Sequence, residues 1–137
     1  MKKIAAITML RNDEFFLRKW VEYYGAQLGR DNIYVYFDGL DQEIPDFCEG
    51  VSCLRSEHVD CDVHTGDKLR ISYLSQQAST LLDSYDMVIG TDVDEFLIPD
   101  PATGLNLVEF LSQPAFDGYD CISGLGIDVG QKLGEEA

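Results

Sequence analysis

The run from Ile4 to Leu10 does most to restrict how this chain can fold. It carries no charge and offers apolar side chains to both faces of an extended backbone, the pattern of a central parallel strand covered by helices on each side. Arg11-Asn12-Asp13 interrupts the run, and Asn12 or Asp13 is placed to cap a following helix. In that helix Leu17, Val21, Tyr24 and Leu28 recur at i, i+4, i+7 and i+11, flanked by Phe16 and Trp20. One broad stripe therefore faces a core, while Arg18, Lys19, Glu22 and Gln27 take the outer side. Gly29 is placed to end the helix. Asn32 to Phe37 alternates Ile33, Val35 and Phe37 with Tyr34 and Tyr36, reads as a second strand, and stops at the turn-forming Asp38-Gly39-Leu40-Asp41. Strand, amphipathic helix and strand make a βαβ unit, which is expected to be right-handed.

The later segments extend the same architecture. Pro45 and Gly50 mark Glu43 to Gly50 as loop, and Val51 to Glu57 reads as a third strand. Asp67 is a suitable N-cap for a helix running to about Tyr85, with Leu74, Ala78, Leu81, Leu82 and Tyr85 as its apolar face. That helix feeds the uncharged stretch Met87-Val88-Ile89-Gly90. Pro99, Pro101 and Gly104 then break the chain before a short helix over Leu107 to Ser112. A last strand, roughly Asp120 to Gly124, is expected before a glycine-rich tail. The predicted order is β-α-β-β-α-β-α-β. This is an α/β fold, a three-layer α/β/α sandwich around a mostly parallel sheet, expected as a single domain over residues 1–137.

Charge narrows the partners. The chain holds 25 acids against 10 bases, a formal charge of −15, which argues against nucleic acid or an anionic membrane surface. From Ile71 through Gln131 there is no Lys or Arg, yet Asp83, Asp86, Asp92, Asp94, Glu95, Asp100, Glu109, Asp117, Asp120 and Asp128 all fall there. Most of these acids read as a solvated surface, and part of the negative field is suited to a bound cation. Lys2-Lys3 followed by Ile4 to Leu10 is too short and too soon interrupted for a signal peptide, and no small-residue cleavage site follows. No stretch reaches the roughly 18 apolar residues of a membrane span, so a cytoplasmic chain is expected. Cys48, Cys53, Cys61 and Cys121 form no C-x-x-C pair and no disulfide framework. Cys48, Cys53, His58, Cys61 and His64 lie within 17 residues but match no zinc spacing. Reduced cysteines are expected, with His58 and His64 as ordinary loop residues.

The chemistry concentrates in Gly90-Thr91-Asp92-Val93-Asp94-Glu95-Phe96. An uncharged strand delivers three carboxylates to the rim of a sheet, where ligands of open α/β folds sit. In an extended backbone Asp92 and Asp94 point to the same side. Two anions held that close favour a cation between them, and hard divalent ions such as Mg²⁺ and Mn²⁺ take carboxylate oxygens. Glu95 reads as a surface acid or the start of a turn.

Five features together resemble the family 2-like glycosyltransferases of the GT-A fold, a Rossmann-like arrangement. They are Leu10-Arg11-Asn12-Asp13-Glu14, then Leu17-x-x-Trp20-Val21-x-x-Tyr24, then Gly29, a strand ending at Asp38, and Asp92-Val93-Asp94-Glu95-Phe96-Leu97. The resemblance covers Ile4 to about Pro99, and departs at Tyr24, where such sequences often carry His. It implies an N-terminal part that binds a nucleotide-sugar donor, with the acceptor unspecified. It implies Asp94 as ligand of Mn²⁺ or Mg²⁺, and Asp92 on the metal or on the donor's ribose or sugar hydroxyls. Asp38 would accept hydrogen bonds from base or ribose, and backbone at Leu10 and Arg11 would line the nucleotide pocket. Arg70 or Lys68 would offset the diphosphate charge. The acceptor-side portion of such enzymes, with any catalytic base, is expected to lie outside this chain, so no catalytic residue is assigned.

Two other classes remain open. A haloacid dehalogenase-like phosphatase also ends an apolar strand in Asp-x-Asp, with the first Asp attacking phosphorus beside Mg²⁺. That family wants Thr or Val where Phe96 stands, and its motif lies near the N-terminus. A non-catalytic nucleotide-sugar-binding or interaction module is the second. An EF-hand loop is excluded, because the glycine and the closing Glu are misplaced. Gly124-Leu125-Gly126-Ile127-Asp128-Val129-Gly130 is not a G-x-G-x-x-G loop.

Overall fold

In the computed structural model, residues 1–127 are described. The elements run β1 (Ile4–Leu10), α1 (Glu14–Leu28), β2 (Ile33–Asp38), β3 (Ser52–Ser56), α2 (Val63–Leu81), β4 (Met87–Gly90) and α3 (Leu107–Leu111), with short 3-10 turns between them. The four strands form one all-parallel sheet in the order β3-β2-β1-β4. All seven residues of β1 are buried, because a strand is paired on each side and helices cover both faces. Ile4, Ala6 and Leu10 join Leu17, Trp20, Val21, Tyr24 and Leu28 of α1 and Leu107 and Leu111 of α3 in one core. Ile7 and Met9, with Tyr36 of β2, face the other way, onto Tyr73, Leu74, Ala78 and Leu81 of α2. The period of two along β1 thus divides the sheet between two helical layers.

The winding follows from those faces. The chain steps outward from β1 to β2 through α1, reaches β3, then returns across the sheet through α2 to β4 on the far side of β1. A reversed direction on the opposite face keeps the same hand of crossover. It also creates a topological switch point between β1 and β4, the place where the carboxyl ends of an open α/β sheet splay apart.

Four expectations need correction. The second long helix starts at Val63, with the Asp62 side chain accepting from Thr65 N at 3.1 Å. Asp67 lies inside that helix and pairs with Arg70. The Asp62 cap and the bond from Gly66 N–H to the Asp62 carbonyl at 2.9 Å put the start of the helix ahead of Asp67. The helix also stops at Leu81, and Tyr85 turns inward so that its hydroxyl meets Asn32 and Tyr34, each at 3.0 Å. The loop before β3 contains a 3-10 turn, Asp46–Cys48, whose buried Cys48 packs in the α1 core. Residues 120–124 form no strand: all five are exposed, as are Tyr119 and Leu125 on either side, so no buried face holds the segment to the sheet. The glycine-rich tail beyond residue 127, Asp128 included, lies outside the described residues.

Among the described residues no helix is long and apolar enough to cross a membrane.

Candidate functional site

Parallel pairing brings every strand's carboxyl end to one edge. Leu10 sits level with Phe37, Phe37 with Arg55, and Asp38 with Ser56. Strand β4 ends earlier, with Gly90 level with Ile7. The chain leaving β4 therefore turns beside the last residues of β1, at the switch point.

That turn is anchored from beneath. Thr8 donates its hydroxyl to the Thr91 carbonyl at 2.8 Å, and the Trp20 indole N–H donates to the Thr91 hydroxyl at 3.0 Å. The acidic motif is consequently not the end of a strand. Glu95 N–H donates to the Asp92 carbonyl at 3.0 Å, and Asp92 N–H donates to the Glu95 carboxylate at 2.9 Å. These two bonds close a turn around the buried Val93 and leave Asp92 and Asp94 exposed. The extended-strand expectation fails because sheet pairing has ended at Gly90 and Glu95 supplies a better partner for the freed amide. Glu95 shapes the turn.

Two α1 tyrosines hold the chain beyond it. Tyr24 accepts from Leu97 N–H at 2.8 Å and donates to the Glu95 carbonyl at 3.3 Å, while Tyr23 donates to the Leu97 carbonyl at 2.7 Å. Tyr24 is fully buried, which pushes its hydroxyl above the ordinary phenol value by disfavouring the charged form. Burial, helped by the neighbouring Tyr24, pushes Tyr23 up to about 12.

The other half of the edge is built on Asp38. Its backbone carbonyl takes two donors, Arg11 at 2.6 Å and Gln42 Nε2 at 2.8 Å. Gln42 is buried and also accepts from Asn12 N–H at 2.9 Å. Asn12 has a φ of 56°, a left-handed conformation that Asn tolerates better than most residues. It swings the chain off β1 toward α1, where Asp13 accepts from Phe16 N–H at 3.3 Å as the N-cap. The Asp38 carboxylate meets His58, whose Nδ1 lies 3.1 Å from each oxygen. His58 Nε2 is 3.4 Å from Asp60. The Ser56 hydroxyl, on the residue paired with Asp38, is buried with no hydrogen-bond partner.

The residues singled out in the sequence divide accordingly. Leu10 is buried at the end of β1, and Arg11 bends across the rim to hold Asp38 and Asp41, the latter at 3.3 Å. Arg70, on the second turn of α2, reaches Asp92 at 3.7 Å and Asp67 at 3.5 Å. Lys68 stands exposed on the same helix, and the ion pairs between α2 and the acidic turn run through Arg70 alone among the described residues. The missed residues are His58, Gln42 and Thr91. His58 looked like an ordinary loop histidine, and the only signal for it was its place just past the third strand's carboxyl end.

Among the described residues no three His, Cys, Asp or Glu side chains converge as a ready-made metal cage. Asp92 and Asp94 supply two exposed carboxylates. Carboxylate oxygens are the ligand type that hard divalent ions such as Mg²⁺ and Mn²⁺ take. Cys48, Cys53, Cys61 and Cys121 are free thiols. The neighbouring Cys53 thiol, followed by burial, pushes the Cys48 thiol up, and the Cys48 thiol in turn lowers Cys53. Two shallow surface concavities, along Ser72 to Thr80 of α2 and around Lys2, Asp86 and Tyr119, lie away from the carboxyl edge.

Comparison with protein-family models, with curated proteins and with solved structures returns no match for this chain.

Proposed function

We propose that this chain is the donor-binding part of a GT-A-like glycosyltransferase, which binds a nucleotide-diphospho-sugar with Mn²⁺ or Mg²⁺ and passes the sugar to an acceptor. The observation that carries the reading is the placement of the Asp92-Val93-Asp94 turn at the switch point between β1 and β4, with Arg70 against it. A diphosphate needs opposite charge on one side and a carboxylate-held cation on the other, and this corner of the fold has both kinds of group. Asp94 and Asp92 hold the metal, and the Arg70 guanidinium meets the phosphate oxygens. Asp38 accepts hydrogen bonds from the base or ribose, and the backbone at Leu10 and Arg11 lines the nucleotide between the two ends. When bound, the divalent ion supplies Lewis-acid stabilisation of the negative charge on the departing diphosphate.

Isothermal titration of UDP- and GDP-sugars with and without Mn²⁺ tests the reading. Binding of at least one donor that requires Mn²⁺ and is lost in Asp94→Ala is expected. Absence of metal-dependent binding, or binding indifferent to Asp94→Ala, overturns it. Turnover of a phosphomonoester, lost in Asp92→Asn, assigns the chain to phosphatase chemistry instead.

A further inference from the structure

Asp38 is held more firmly than a turn residue needs to be. Arg11 and Gln42 both donate to its carbonyl, at 2.6 and 2.8 Å, and His58 lies 3.1 Å from both carboxylate oxygens. A carboxylate offers only acceptors, so His58 presents its Nδ1 proton to Asp38. One shared proton leaves most of the lone pairs on the two oxygens open. With 29% of its side chain exposed, Asp38 is a held acceptor at the carboxyl end of β2 that solvent, and so a ligand, can reach. A group so placed is suited to a ligand carrying N–H or O–H donors, such as an imide edge or a vicinal diol. It is not suited to an anion.

We infer that His58 is a positioning residue for the nucleoside end of the donor site, fixing the Asp38 carboxylate so that it can accept from the base or ribose. The inference rests on the nucleotide-sugar reading above and extends it to a residue outside the acidic turn. His58 acts through Asp38. It stands at the end of β3, whereas the diphosphate end of the site stands at β4, on the opposite side of β1. The two ends can therefore be separated by experiment.

The test is calorimetric titration, in the presence of Mn²⁺, of UDP, GDP and inorganic pyrophosphate into the wild-type chain, His58→Ala and His58→Asn. The Asn amide nitrogen sits close to where Nδ1 stands, and it can donate to Asp38. Loss of a hydrogen bond to a charged group predicts that His58→Ala weakens the preferred nucleoside diphosphate by roughly tenfold. Pyrophosphate affinity is expected to stay unchanged, and His58→Asn to restore most of the nucleotide affinity. Equal weakening of pyrophosphate, wild-type nucleotide affinity in His58→Ala, or no rescue by Asn each overturns the role of His58 while leaving the donor reading in place. A wild-type chain that takes up neither nucleoside diphosphate nor pyrophosphate overturns the donor reading itself, and this role with it.

Discussion

The Trp20 indole N–H donates to the Thr91 hydroxyl at 3.0 Å, joining the middle of α1 to the first residue beyond β4. Thr91 is held a second time through its carbonyl, by Thr8. The acidic turn therefore hangs from a residue fixed to both the sheet and the helix. Thr91→Val keeps the shape and removes the hydroxyl, leaving a fully buried Trp20 N–H without a partner. A loss of about 1–3 kcal/mol in urea unfolding is expected, together with weaker Mn²⁺-dependent donor binding. Unchanged stability removes this bond as the anchor of the turn.

Gly39 lies directly after Asp38 at a φ of 132°, and a Cβ there would overlap the Arg11 guanidinium and the Asp41 carboxylate. Gly39→Ala is therefore expected to cost about 1–3 kcal/mol from the backbone conformation alone. It also displaces Arg11 from the Asp38 carbonyl. Chemical denaturation reads the first effect, and nucleoside diphosphate titration the second. A variant as stable as the wild type shows that the rim rearranges at no cost.

Arg70 pairs with Asp92 at 3.7 Å while its own side chain is 38% exposed. A pair of that kind contributes only about 0.2–1 kcal/mol, so Arg70→Met is expected to leave stability nearly unchanged. Its effects on ligands should run in opposite directions. Without the competing guanidinium, Mn²⁺ alone should bind up to about fivefold more tightly. Without a cation for the phosphates, UDP or GDP with Mn²⁺ should bind more weakly. Titration followed by electron paramagnetic resonance of free Mn²⁺ separates the two. Loss of both affinities would mean that Arg70 holds the turn in shape.

Alkaline pH offers a test of the packing. Burial, with smaller contributions from Tyr73 and Tyr34, pushes the Tyr36 hydroxyl up to about 12, and Tyr23 likewise reaches about 12. The unfolded chain ionises its tyrosines near 10. A raised folded value means that the native state binds the proton more tightly. This stabilisation is complete below about pH 10 and is lost as pH rises toward 12. Urea midpoints measured from pH 8 upward should therefore be flat at first and then fall, and Tyr36→Phe should reduce the slope. A midpoint that stays level to pH 12 contradicts burial of these hydroxyls.

Much of the frame was legible because it rests on local periodicity. The two-faced run of β1, the α1 stripe with Asp13 ahead of it, and the alternation in β2 all appear where hydrophobic spacing puts them. The start of α2 was misread because Asp62 and Asp67 are equally good caps in isolation. Packing of Tyr73, Leu74 and Ala78 on the sheet, which decides where the helix runs, is a long-range contact.

The candidate site divides along the same line. Residue order alone puts Asp92 and Asp94 after one uncharged run and Asp38 after another, and parallel strands must present both at one edge, since chemistry placed after a strand stays at its carboxyl end. Contacts made in the folded chain close Asp92 to Glu95 into a turn, set Arg70 against Asp92, and bring His58 to Asp38 across 20 residues. Those pairings depend on how far each strand extends before its sheet partner ends. Strand register is set by the packing of side chains from the whole core, which no local stretch contains.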